Sequence, residues 1–336
     1  MKKILVTGGA GYIGAASADA LIAAGHRVVI LDDLSTGHAE LLPNEASAIT
    51  GTYTDRERVG DLLRDARIDA ILHCAAKSIV SDSVEHPERY YRDNLIGSLN
   101  LLDAAMAAGI KRIVFSSSAA VYGAAQTSVL GEESAIAPIN PYGATKAAFE
   151  HAMRSYAGAN GAKTFALRYF NVAGATERVR ERHQPETHLL PRIVEATLAG
   201  GTFSLFGTDY ATPDGTAMRD YVHVADVAAA HVAAFDALGD ELQRAPPVLA
   251  GRSALALHRE ALADPVRQRG ALGDIGAFPE VQSVTLVTSE QALERARRER
   301  PHDARHLIDL AAPARPGSAR GWNWDYYRPY VELALE

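Results

Sequence analysis

Short apolar runs alternate with amphipathic, alanine-rich stretches over the first half of the chain. Lys3–Thr7 (KILVT), Arg27–Leu31 (RVVIL), Asp69–His73 (DAILH), Lys111–Phe115 (KRIVF) and Thr164–Arg168 (TFALR) are β-rich and apolar at nearly every central position. Runs of this kind read as strands buried on both faces. Between them, Ala15–Ala24, Val59–Ala66, Arg89–Ala108 and Thr145–Tyr156 carry a helical pattern, with Leu95, Leu99 and Leu102 sharing one face of the third. Strand and helix alternating at this spacing predict an α/β fold, a doubly wound parallel sheet covered by helices on both sides.

Beyond Phe170 the texture changes. Residues 171–192 are polar and rich in His, Pro and Glu, as a substrate-side loop region would be. A helix is predicted over Leu189–Ala199, a strand over Phe203–Phe206, a turn-rich loop over Asp209–Arg219, a short strand over Asp220–Val224 and an alanine-rich helix over Val224–Leu238. Val281–Val287 then reads as a strand and Ser289–Arg300 as a helix, before the breaker-rich Pro313–Gly317. The expected organisation is a cofactor domain over 1–170, to which 219–238 returns, and a smaller mixed α/β C-terminal substrate domain over 171–336.

Composition narrows the function class. A chain of 336 residues at 47% hydrophobic composition can bury a large core. A formal net charge of -7 argues against a general nucleic-acid surface. The apolar runs are strand-length and fall short of the roughly 18 residues needed to span a bilayer. Met1, Lys2 and Lys3 could open a signal segment, but the glycines from Gly8 to Gly14 interrupt the apolar run behind them. The single cysteine, Cys74, excludes an internal disulfide framework, and a soluble cytoplasmic protein is expected.

Two motifs carry the chemistry. VTGGAGYIG, from Val6 to Gly14, closes the first predicted strand and opens the first helix. Gly8 permits the tight turn, Gly11 lets backbone approach a pyrophosphate, and Gly14 allows close packing where the helix starts. The helix N-terminus then offers amides to the phosphates. Asp32 stands 18 residues beyond Gly14 at the end of the second strand. A carboxylate there accepts from ribose hydroxyls and repels a 2′-phosphate, which favours NAD over NADP. The second motif is YGATK, in which Tyr142 and Lys146 lie one helical turn apart and can face one reaction centre. A nearby ammonium is expected to lower the phenol pKa, so that Tyr142 can take a proton from a substrate hydroxyl as hydride leaves the same carbon. Ser118, last of three serines after a strand, is the third candidate, donating to the substrate oxygen.

Other clusters have plainer readings. His183, Glu186 and His188 show no recurring metal spacing and are interrupted by Pro185, so they read as loop residues and no metal is expected. Cys74 reads as a small core residue near the cofactor. Arg219 could hold an anionic substrate or form a surface ion pair with Asp220. The arginine-rich Arg295–Arg305 reads as a solvated helix.

The motif blocks resemble the extended short-chain dehydrogenase/reductase family, and within it the nucleotide-sugar 4-epimerases. The likeness covers roughly residues 1–240. It rests on TGGAGYIG from Thr7, LDDLSTG from Leu31, AAK from Ala75, the Asp93–Asn94 pair, SSSAAVYG from Ser116, NPYGATK from Asn140, LRYFNVAG from Leu167 and RDYVHV from Arg219. The resemblance implies a Rossmann-like NAD domain and a cofactor set of Gly8, Gly11, Tyr12, Ile13, Gly14, Asp32, Asp33, Lys77, Asn94, Tyr142, Lys146 and Phe170. It implies Tyr142 as base, Lys146 on the nicotinamide ribose, and Ser118 against the sugar hydroxyl. On the UDP-sugar side it implies Asn171, Leu190, Phe206 and Arg219. The implied activity is interconversion of UDP-glucose and UDP-galactose by transient oxidation at C4, in a homodimer. UDP-pentose and UDP-N-acetylhexosamine epimerisation and a non-catalytic NAD-binding role stay open. Ala119 and Ala120 come after Ser118 where 4,6-dehydratases of the family carry an acidic pair, which disfavours dehydration.

The sequence departs from the family in two places. Gly51-Thr52 stands where an acid near adenine is usual. From about residue 245 the family's tail motifs are missing: PVLAGRSAL (Pro247–Leu255) replaces a glycine-rich segment, no diphosphate-gripping R-x-G-D-P is found beyond a relic in RPGS (Arg315–Ser318), and GWNW (Gly321–Trp324) loosely resembles the family's L-G-W tail segment. The tail is either a divergent substrate region or an altered one.

Overall fold

The computed structural model describes residues 1–124, 130–132, 134–184, 186–198 and 219–238, together with the short strands Thr285–Val287 and Leu307–Asp309. These residues divide into two units: Met1–Tyr169 with the helix that begins at Val224, and Phe170–His223 with the later segments.

In the first unit, β1 (Lys3–Thr7), β2 (Arg27–Asp32), β3 (Ser47–Thr50), β4 (Ala70–His73), β5 (Arg112–Ser118) and β6 (Lys163–Tyr169) form one parallel sheet in the order β3-β2-β1-β4-β5-β6. Parallel strands need helical crossovers. These are α1 (Tyr12–Ala23), α2 (Arg56–Asp65), α3 (Val80–Glu85), α4 (Pro87–Tyr90), α5 (Ser98–Ala107) and α6 (Pro141–Asn160). The doubly wound sheet expected from the alternation is therefore present. β3 has no apolar run to announce it; its four residues are all exposed, at the sheet edge.

Strand side chains point to alternate faces, and both faces are filled. Leu5, Val29, Leu31, Ile71, Ile113 and Phe115 pack with Val59, Leu63, Leu101, Leu102, Phe149 and Met153 from α2, α5 and α6. On the opposite face α1 lies beneath the helix beginning at Val224, and Ser17 Oγ of α1 meets His231 Nδ1 at 2.9 Å. Alanines at 15, 16 and 18 in α1 and at 228, 230 and 234 across from it are all buried and small enough for the two helices to approach closely.

The helix expected over Arg89–Ala108 is interrupted. Between α4 and α5 the turns of Tyr91–Gly97 widen to π-helical, a form frequent at functional sites. The widening brings the Asn94 side chain inward, where it is buried. α6 begins earlier than its apolar pattern does. Asn140 caps it by accepting from the Gly143 amide at 2.8 Å, and Pro141 occupies its first turn. It ends at Gly161, whose φ of +63° suits a left-handed cap.

In the second unit, β7 (Asn171–Ala173) pairs in parallel with β8 (Tyr221–His223), and α7 (Leu189–Leu198) comes after the polar segment. α8 (Val224–Ala237) belongs to the first unit. β9 (Thr285–Val287) pairs in parallel with β10 (Leu307–Asp309). The expected strand Phe203–Phe206, the helix Ser289–Arg300, the candidate Phe206 and the tail segments at 247–255 and 315–324 lie outside the described residues. No helix among the described residues is long and apolar enough to cross a membrane.

Candidate active site

The parallel sheet brings the C-terminal ends of all its strands to one edge, and the candidate residues of the first unit gather there. β1 runs into the glycine turn, where Gly8 N–H donates to Leu31 O at 3.0 Å and Gly11 N–H to Gly8 O at 3.2 Å. Gly8 has φ +73°, and a Cβ on it would come within 2.6 Å of Ala75 N. A Cβ on Gly14 would lie 2.1 Å from Gly8 O. Both positions exclude any side chain. Gly11 precedes α1 without a side-chain cap, and no acid lies in the first turn, so the helix's positive end stays available to an anion. Tyr12 is buried, and Ile13 is half-buried in this first turn.

Asp32 closes β2. Its Oδ2 accepts from Ala10 N at 2.9 Å and its Oδ1 from Leu34 N at 2.9 Å. A carboxylate offers about four acceptor positions, so capacity remains for ribose hydroxyls. Asp33 is exposed and caps its own turn by accepting from Ser35 N at 2.9 Å. Glycines with no room for a side chain, an uncapped helix start and a fixed carboxylate together fit a dinucleotide such as NAD.

After β4 the backbone turns at Cys74 and Ala75, whose amides both donate to Thr7 O, at 3.1 and 3.0 Å. Lys77 is held by the buried Asn94 side chain, which accepts from Lys77 N at 2.8 Å and donates to Lys77 O at 2.9 Å. Lys77 Nζ reaches Asp93 at 3.5 Å. Asn94 thus supports the Lys77 backbone. Thr52, in the place of the family's acid, is turned to its neighbour: its hydroxyl lies 2.9 Å from Thr54 Oγ1. Burial raises the Cys74 thiol to about 12, out of the range of a reactive nucleophile, although its side chain is only half-buried.

Ser118, Tyr142 and Lys146 meet beside β5. Ser118 ends the strand opposite Tyr169 and caps the adjoining 3₁₀ turn, its hydroxyl accepting from Ala120 N at 3.1 Å. Its hydroxyl also hydrogen-bonds the Tyr142 phenol, which lowers the phenol's pKa, although burial is the larger effect and raises it. Lys146 Nζ is buried, donates to Ser116 O at 2.7 Å, and lies 5.7 Å from the centre of the Tyr142 ring and 4.6 Å from that of Phe115. Burial lowers this ammonium to about 8, against the opposing pull of Cys74 and Glu150. The expected depression of the Tyr142 pKa by Lys146 is thus not the net effect of the polypeptide, because desolvation of the phenolate outweighs it.

Sequence reasoning overlooked a buried network next to this trio. Glu150, one helical turn beyond Lys146, accepts from Ser117 Oγ at 2.5 Å and from Arg168 at 2.6 to 3.1 Å. Its signals were the continued four-residue spacing from Tyr142 and an arginine inside the apolar run TFALRYF.

Residues proposed for the sugar nucleotide fall largely in the second unit. Asn171 is exposed at the start of β7, and both its backbone and side-chain amides donate to Asp220 O, at 3.1 and 2.9 Å. Arg219 is exposed beside the adjoining β8, and Leu190 is half-buried in the first turn of α7. Phe170, half-buried, is the first residue after β6. Although the sequence offered no metal spacing, Glu181, His183 and His188 present ligand atoms within 4.8 Å of one another. Each imidazole is already engaged by its own carboxylate, His183 by Glu181 and His188 by Glu186. The Glu181 contact raises the His183 pKa. The cluster therefore reads as two carboxylate–imidazole pairs.

Residues 4–243 match the NAD dependent epimerase/dehydratase family. The chain is 45% identical over 235 residues to a UDP-glucose 4-epimerase of Corynebacterium glutamicum, covering 70% of this chain and 71% of that one. Among solved structures, UDP-glucose 4-epimerase from Brucella ovis in complex with NAD matches with a TM-score of 0.68 and 42% identity, over 71% of this chain and 74% of that one. The UDP-glucose 4-epimerase of Stenotrophomonas maltophila, with bound NAD and formylated UDP-arabinopyranose, matches with a TM-score of 0.68 and 37% identity, over 72% of this chain and 75% of that one.

Proposed function

Because the chain belongs to the NAD dependent epimerase/dehydratase family, we propose that it interconverts UDP-glucose and UDP-galactose by inverting C4 with NAD as resident cofactor. The observation that carries this reading is the meeting of Ser118, Tyr142 and Lys146 at the end of β5, with Ala119 and Ala120 where a dehydratase needs acids. Gly8, Gly11, Gly14, Asp32, Lys77 and Asn94 would hold NAD, which when bound accepts hydride from the sugar C4 and returns it to the opposite face.

The remaining work falls to the chain. Tyr142 Oη takes the proton of the C4 hydroxyl and gives it back after inversion. Its resting pKa is raised by burial, so the phenolate forms only when positive charge faces the site, and Lys146 supplies part of it. Ser118 Oγ is the donor that orients the sugar oxygen. Asn171, Leu190 and Arg219 are proposed to grip the nucleotide, leaving the sugar free to turn.

The reading is tested by incubating purified protein with UDP-glucose, UDP-galactose, UDP-xylose and UDP-N-acetylglucosamine and monitoring epimers by chromatography. Formation of UDP-galactose from UDP-glucose is expected, and no epimer from any of them would refute it. A UDP-pentose is the second reading, favoured by the arabinopyranose derivative held by the Stenotrophomonas relative; turnover restricted to UDP-xylose would select it. A homodimer in the cytoplasm completes the proposal. Exposed Tyr91 and Ile96 on the π-helical turn offer an apolar face for a second copy, and light scattering at two concentrations reads the stoichiometry.

A further inference from the structure

We propose that Glu150, clamped by Arg168, is a positioning residue for the reaction, fixing the helix that carries Tyr142 and Lys146 against the strand that carries Ser118. The inference rests on the epimerase reading for its link to turnover, while the clamp itself is in the structure. Tyr142, Lys146 and Glu150 recur every four residues along α6, so they share one face. The Glu150 and Arg168 side chains are only 3% and 4% exposed. Arg168 Nε donates to both carboxylate oxygens, at 3.0 and 3.1 Å, and a terminal nitrogen donates to Oε2 at 2.6 Å. Its other terminal nitrogen donates to Tyr122 Oη at 3.1 Å and to Glu132 O at 3.4 Å. The same carboxylate accepts from Ser117, the residue beside Ser118. One ion pair thereby ties together α6, the ends of β5 and β6, and the 3₁₀ turn that Ser118 caps.

A buried ion pair is a poor device for stability alone, because apolar residues of the same size would pack as well without losing hydration. What it supplies here is a fixed register. It also places a carboxylate one turn from the Lys146 ammonium. The groups facing that ammonium are His73 and Cys74 at the end of β4, Phe115 and the Ser116 carbonyl on β5, and Tyr142 and Glu150 on its own helix. Of these Glu150 is the carboxylate, and it opposes the desolvation that would strip the proton from Lys146.

The test compares wild type with Glu150→Gln, Glu150→Asp and the double variant Glu150→Leu/Arg168→Met. In Glu150→Gln, kcat is expected to fall about 10²-fold with KM for the UDP-sugar little changed. The alkaline limb of the kcat profile should also move to lower pH as Lys146 loses its carboxylate. Glu150→Asp should restore part of that limb. The double variant, free of any unpaired buried charge, keeps the fold and should show the same displaced limb. Equal kcat and an unmoved limb in the double variant would overturn the proposal, as would a loss of thermal stability alone in Glu150→Gln. The pH dependence of NAD affinity, measured by calorimetry on the same proteins, reports the Lys146 shift without turnover. A wild type that binds NAD but epimerises nothing would therefore refute the activity and leave the clamp still decided by binding.

Discussion

Lys146→Met should abolish epimerisation and, at neutral pH, yield a more stable protein. The ammonium is buried, and its pKa is lowered from 10.5 to about 8, desolvation being the first cause. A base whose folded pKa lies below its unfolded one burdens the fold most at low pH. The unfolded chain holds more protons, so stability rises with pH through the window between the two values. A gap of about 2.5 units corresponds to about 3 kcal/mol at pH 7, and about 2 kcal/mol of it is recovered by pH 9.5. Methionine of similar length removes this burden but forfeits the 2.7 Å bond to Ser116 O, a loss of about 1 kcal/mol. The variant should therefore be about 2 kcal/mol more stable than wild type at pH 7, with the advantage shrinking to nothing near pH 9.5. Urea unfolding at four or five pH values, monitored by circular dichroism, reads both curves. Parallel curves for the two proteins would refute the reasoning, since Lys146 would then not titrate from a desolvated position.

Three further outcomes are expected. Tyr142→Phe should lower kcat about 10²- to 10⁴-fold while NAD still binds, checked by turnover and cofactor content together. Gly14→Ala places a Cβ 2.1 Å from the Gly8 carbonyl oxygen, so NAD affinity should collapse and the melting temperature fall, measured by calorimetry and thermal scanning. Asn94→Ala strips both hydrogen bonds from the Lys77 backbone and should cost about 2 kcal/mol of stability, together with a weaker NAD isotherm.

What the sequence displayed and what it hid have physical reasons. β1, β2, β4, β5 and β6 are legible because a parallel sheet buries both faces, leaving unbroken apolar runs. β3 is invisible because its four residues are exposed and need no apolar character. The glycine turn and Asp32 were readable because backbone sterics and a charged acceptor restrict residue type. Asn94 was flagged by its motif, but its support of the Lys77 backbone depends on a π-helical widening that periodicity treats as plain helix. Glu150 and Arg168 escaped notice because a buried ion pair is made across four segments, and neither residue looks unusual on its own. The histidines at 183 and 188 were right to look clustered, yet it took coordinates to show that each already has its own glutamate.

The contact between α1 and α8 bears on how the chain is made. Ser17 and His231 are 214 positions apart, and Arg112 Nε reaches Leu238 O across 126. A nascent chain that has completed β6 still lacks the helix that roofs α1. At about 5–20 residues per second the ribosome needs several seconds more to deliver it. Throughout that interval the alanine-rich face of α1 lacks its covering helix, while residues 170–223 emerge from the tunnel. The cofactor unit is thus sealed by a late segment of the polypeptide, and its biogenesis, unlike its catalysis, hinges on a stretch that contains none of the reacting groups.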